Sequence, residues 1–126
     1  MSAGYGEGVL HCPATLLVRP LPTDAGQVDW GGLVRERRVL AVATAPAGAA
    51  VDLAARLAAE HGLHHRVEPG LADADGEIDH EARHDATLQA IADEHRGECV
   101  LVLLEAGEDR TLQIGDDGWA RLPAGG

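Results

Sequence analysis

The chain has 126 residues, with ten arginines, no lysine, 21 acidic residues and a formal net charge of −11. Its length fits one domain, and its 45% hydrophobic and 25% charged content is ordinary for a globular protein. The acidic balance argues against a nucleic-acid or anionic-membrane partner, because both require a basic surface. No apolar run is long enough for a membrane-spanning helix, so we expect no membrane partner either.

The N-terminal segment and the cysteines indicate the compartment. Residues 1–13 are rich in glycine and polar side chains, which predicts a flexible lead-in before a single domain over residues 14–126. The lead-in lacks the basic start and the long apolar core of a signal peptide. Cys12 and Cys99 form no C-x-x-C pair, so we expect two free thiols, with a disulfide only if both lie near adjacent strands. The predicted location is the cytoplasm.

Two short apolar runs in the first third of the chain predict strands. Residues 15–19 are too few for a helix and are followed by a Pro- and Gly-containing loop predicted over residues 20–32. Residues 39–44 form a second, continuous apolar run, which is typical of a strand covered on both faces. Thr44 is a suitable N-cap, and the apolar spacing that follows predicts a helix that stops at Gly62.

The second half of the chain continues this alternation. Residues 66–70 predict a weak strand before an acidic loop, and a second helix is predicted to start near Asp79 and to end before Gly97. Residues 99–104 are fully apolar and predict a central strand, and residues 111–122 predict a terminal hairpin. The second helix carries one stripe with helical spacing, formed by His84, Leu88, Ile91 and His95. The two tryptophans, Trp30 and Trp119, are expected to fill the core.

This order of elements predicts the fold class and the place of a site. It is an α/β domain, a small layered sandwich with a mostly parallel central sheet that ends in a β-hairpin. Ligands of such sheets bind at the carboxyl ends of the central strands. In this chain those ends are Arg19-Pro20, Thr44-Ala45-Pro46 and residues 104–107.

Segments at these places resemble the motifs of the histidine phosphatase superfamily, the phosphoglycerate-mutase-like group. They are, in order, TLLVRP, ATAPAGAAVDLAARLAAEHGL, VEPGLADADGEID and VLVLLEAG, and the final TLQIGDDGWARL is similar to the last strand of many members. The resemblance spans about residues 15–107 and implies a histidine-phosphatase-like fold. In that family a first-motif histidine attacks phosphorus, two arginines and a second histidine neutralise the phosphate oxygens, and an acid protonates the leaving group.

The residues that the resemblance aligns with this machinery differ from it. Arg19 matches the first-motif arginine, but Pro20 stands at the nucleophilic histidine and Glu105 at the second histidine. Ala49, or the glycine before it, replaces the second arginine, and Asp73 stands opposite the family's acid. Proline carries no nucleophile and the carboxylate of Glu105 repels a phosphate dianion. Phosphohistidine phosphatase or mutase activity is therefore predicted to be absent.

The resemblance implies a shortened member, since the helix expected after the Glu105 strand is missing. The predicted function is that of a pseudoenzyme, a module that binds a small molecule or a partner protein around Arg19, Asp73 and Glu105. Arg19 is expected to face the two acids, either as a structural ion pair or as part of a pocket for a cationic or polar neutral ligand. Few covering helices imply exposed surface, so a homodimer is a further hypothesis.

The alternative prediction is an enzyme with repurposed chemistry. His80-Glu81-Ala82-Arg83-His84 fits the string H-E-x-x-H, which on a helix lets both histidines reach one zinc ion while the glutamate acts as a base. The metzincin position of a third ligand holds an alanine, and coincidence is the commoner source of such a string. We therefore expect no cofactor, and leave zinc at His80 and His84 open. An acid/base pair of Asp73 and Glu105 is the other route to an enzyme.

Overall fold

The computed structural model describes residues 12–21, 28–72, 80–115 and 118–122. Within these ranges, six strands form one sheet in the order β3-β2-β4-β1-β5-β6, and helices cover both of its faces. The elements are β1 (Ala14–Pro20), α1 (Trp30–Arg37), β2 (Val39–Thr44), α2 (Ala49–His61), β3 (His64–Val67), α3 (His80–Glu94), β4 (Cys99–Leu104), β5 (Arg110–Gly115) and β6 (Gly118–Arg121).

The α/β class is confirmed, but the sheet is mixed, so the prediction of a mostly parallel sheet is wrong. Strands β3, β2, β4 and β1 are parallel neighbours, whereas β5 is antiparallel to β1 and β6 is antiparallel to β5. The reason lies in the short connection of residues 105–109. A strand parallel to β4 would have to begin at the amino edge of the sheet, which requires a long crossover connection. The five-residue connection is too short for that, so β5 begins at the carboxyl edge and runs in the opposite direction. The terminal hairpin, β5–β6, is confirmed.

The core has two layers because β4 alternates its side chains between the two faces of the sheet. Val100 and Val102 pack with Leu88 and Ile91 of α3 on one face. Leu101 and Leu103 face the other side, where α1 and α2 cover them. A strand between two layers must be apolar at every position, which explains why residues 99–104 were predicted to be central.

Helix α1 is an element that the sequence prediction missed, since the predicted loop ran to residue 32. The side chain of Asp29 caps this helix, its Oδ1 accepting a hydrogen bond from the Gly32 N–H at 2.9 Å. Trp30 and Val34, one turn apart, are its buried residues. Gly31 and Gly32 lower the helix propensity of the first turn, so the sequence of this segment did not predict a helix.

The residue that ends α1 has an unfavourable backbone conformation. Arg38 has φ 53° and ψ 49°, and it is the one non-glycine residue with positive φ in the described part of the chain. Glycine adopts this conformation without the Cβ clash, so we expect Arg38→Gly to raise the free energy of unfolding by about 1 kcal/mol. Urea unfolding followed by circular dichroism measures it. The matched control, Arg35→Gly inside the same helix, is expected to destabilise by a similar amount; equal losses in both variants would contradict the prediction.

The two tryptophans have different environments. Trp30 is 7% exposed in the core, as predicted, but Trp119 is 38% exposed, so its placement in the core was wrong. Trp119 lies on β6, the exposed edge strand, and its Nε1–H donates to Gln89 Oε1 on α3 at 2.7 Å. Helix α3 packs on β1 and β5, so the outermost strand has little cover.

Cys12 is exposed and Cys99 is half-buried, and burial raises the pKa of the Cys99 thiol. Both cysteines lie near the adjacent strands β1 and β4. The residue of β1 opposite Cys99 in the strand register is Thr15, however, which is three positions after Cys12. Residues 1–11 of the predicted lead-in lie outside the described residues. Across the ranges that are described, no helix has both the length and the apolar character needed to cross a membrane.

Candidate functional site

The carboxyl ends of three neighbouring strands meet where the sequence placed the candidate site. Strand β4 lies between β2 and β1 and is parallel to both. Pro20 at the end of β1 pairs with Leu104 at the end of β4. Segments that are distant in sequence, and that carry Arg19, Thr44 and Glu105, therefore end at one edge of the sheet.

At this edge, Arg19 is bound to the start of β5. Its Nη1 donates to the Arg110 carbonyl at 2.7 Å and lies 2.8 Å from Asp109 Oδ1, while its Nη2 donates to Thr111 Oγ1 at 3.0 Å. The side chain is only 19% exposed. A further bond from Nη1 to the Val18 carbonyl is 3.2 Å long. The guanidinium is therefore held by the chain itself, through one carboxylate, two carbonyls and one hydroxyl group.

Glu105, the first residue after β4, binds the N-terminus of α2. Its Oε1 accepts the Ala49 N–H at 3.2 Å, and its Oε2 accepts the Ala50 N–H at 2.6 Å. The N-cap residue is Gly48, which has no side chain to bond these groups. Glu105 thus supplies, from more than fifty residues away, the negative charge that the end of a helix dipole favours.

This arrangement corrects the expected ion pair at the site. Arg19 turns toward β5, where Asp109 is its partner, and Glu105 turns toward α2 on the other side of β4. The expected contact between Arg19 and Glu105 is therefore not formed. Arg19 instead pairs with Asp109, and Glu105 accepts hydrogen bonds from the first residues of α2. Asp73, the third residue of the predicted cluster, lies outside the described residues.

Cavities occupy this edge on both sides of the Glu105 contact. Among the described residues, one cavity of about 350 Å³ has Glu105 as its charged group. Its other walls are small or apolar, formed by Ala45, Pro46, Ala47, Gly48, Leu71 and Ala72. Two further cavities of about 370 Å³ each lie around Trp30, and one of them includes Arg19 and Asp109.

The predicted metal string starts helix α3. The helix begins at His80 and places His84 one turn later, as the zinc hypothesis requires, but the side chains of His80 and Glu81 lie outside the described residues. Within the described ranges, no group of three or more His, Cys, Asp or Glu side chains could hold a metal ion. Zinc at His80 and His84 stays a prediction.

A second polar cluster joins the edge strand β3 to the end of α3, and the sequence analysis missed it. Arg66 Nη2 lies 2.8 Å from Glu68 Oε2 and 2.8 Å from Glu94 Oε2. Nearby, His95 Nδ1 lies 2.8 Å from Glu98 Oε1. The hydrogen bond with Arg66 lowers the pKa of Glu94 and raises that of Arg66. Only the approach of β3 to α3 reveals this contact, because no local pattern links Arg66 to a glutamate 28 residues away.

The lowered pKa of Glu94 predicts a pH dependence. A carboxyl whose pKa is lower in the folded protein stabilises it above the unfolded pKa, here near 4.5, and this contribution disappears as the pH falls through the folded value. We expect Glu94→Gln to lower the urea midpoint slightly at pH 7, since the pair is exposed, and the difference from the wild type to shrink as the pH falls below 4.5. Glu36→Gln, on an exposed position of α1, is the control. A difference that stays the same from pH 7 to pH 3 would contradict the assignment.

Comparisons with known proteins do not identify the chain. No protein-family model matches it, and no curated protein or solved structure does. The resemblance to the histidine phosphatases thus rests on the four segments and on where they lie.

Proposed function

We propose that the protein is a catalytically inactive, shortened relative of the histidine phosphatases that binds a small molecule or a partner protein at the carboxyl edge of its sheet, around Arg19 and Glu105. Asp73 is the predicted third residue of this site. The observation that carries the proposal is the contact between the Glu105 carboxylate and the first N–H groups of α2.

Three features of the edge argue against phosphate chemistry. A helix N-terminus is a ready anion site, but here the chain's own carboxylate occupies it. A second anion beside Glu105 would meet a repulsion of a few kcal/mol at an effective dielectric constant of ~20. The Arg19 guanidinium is already bonded to Asp109 and to β5, and Pro20 offers no nucleophile.

The arrangement of the aligned segments supports the proposed ancestry. TLLVRP and VLVLLEAG lie on neighbouring parallel strands, β1 and β4, and the segment that starts ATAP runs from the end of β2 into α2. TLQIGDDGWARL spans the last two strands. No helix separates β4 from β5, which agrees with a shortened member. A pocket that keeps this arrangement of strands and helix, but has Pro20 in place of a nucleophilic histidine, is suited to binding a ligand without reacting with it.

A test of the proposal uses inorganic phosphate and Glu105→Ala. We expect the wild type to release no phosphate from p-nitrophenyl phosphate and to show no rise of Tm with phosphate. Removal of the carboxylate opens the N-terminus of α2, so phosphate should raise the Tm of Glu105→Ala by a few degrees. Glu108→Ala is the control, because Glu108 is an exposed carboxylate of the same β4–β5 connection and pairs with Arg121.

Two results would contradict the proposal. One is turnover by the wild type that is lost in Glu105→Gln, which would favour the repurposed enzyme with Glu105 as an acid/base residue. The other is a phosphate effect that is the same in the wild type and in Glu105→Ala, which would mean that Glu105 does not occupy an anion site.

A further inference from the structure

We draw no further inference here: the strongest candidate, the apolar groove around Trp30 between α1, α2 and the carboxyl end of β1, carries none, because the carboxylates and guanidiniums beside it are equal in number and nothing in the described part of the chain shows what covers it.

Discussion

Replacement of Gly48 by alanine is expected to lower the free energy of unfolding by about 3 kcal/mol, from two causes. Gly48 has φ 112° and ψ −176°, a conformation that side chains with a Cβ strongly disfavour. A Cβ at this position would also lie 2.6 Å from Cδ of Glu105. The new methyl group therefore strains the backbone and displaces the carboxylate from the N-terminus of α2.

A double-mutant cycle with Glu105→Ala separates the two causes. In the Glu105→Ala background the steric cause is gone, so Gly48→Ala should cost about 1 kcal/mol less than in the wild type. Urea unfolding followed by circular dichroism gives all four free energies. Equal costs of Gly48→Ala in both backgrounds would mean that Glu105 does not lie against Gly48.

Gly70→Ala is expected to destabilise the protein by about 2–3 kcal/mol through overpacking alone. Gly70 lies in the short 3-10 turn Pro69–Leu71, which packs on α3. A Cβ there would overlap Thr87 Oγ1 and would lie 3.0 Å from the Thr87 Cβ. Rotation of the Thr87 side chain does not relieve the second contact, and it breaks the hydrogen bond from Oγ1 to the Arg83 carbonyl, which is 2.9 Å long.

The matched variant for Gly70→Ala is Thr87→Ala. It removes the hydroxyl and methyl groups, so Gly70→Ala in that background should cost less than half of its cost in the wild type. Gly62→Ala provides a comparison of another kind. Gly62 has φ 69°, but a methyl group on its Cα would have nothing within 4 Å, so only backbone strain of about 1 kcal/mol is expected there. If Gly70→Ala lowers the free energy of unfolding no more than Gly62→Ala does, the expected overlap with Thr87 is contradicted.

The parts of the fold that the sequence predicted well carry strong local signals. Strands β1, β2 and β4 are continuous apolar runs, and Gly62 ends α2 in the left-handed conformation that glycine favours. Strand β3 begins at His64, two residues before its predicted start, because an edge strand with the sequence HHRV has no apolar pattern. Helix α1 was missed because glycines weaken its first turn.

For the candidate site, the sequence predicted which strand ends lie side by side, but not the contacts of their side chains. The carboxyl ends of β1 and β4 follow from chain order and from the rules for parallel strands. The partner of Arg19 depends on β5 lying beside β1, and the partner of Glu105 depends on α2 beginning next to the end of β4. Both are contacts between segments far apart in sequence, which no local pattern of a single sequence encodes.

The contact of Glu105 with α2 has a consequence for competition with anions in solution. The carboxylate is tethered to the helix that it caps, so its effective concentration there is on the order of millimolar or higher and does not change when free phosphate rises or falls. A free anion must exceed that effective concentration before it displaces the side chain. Occupancy of the N-terminus of α2 by a negative charge therefore does not depend on the concentration of free anions. In a phosphate-binding pocket it would depend on that concentration.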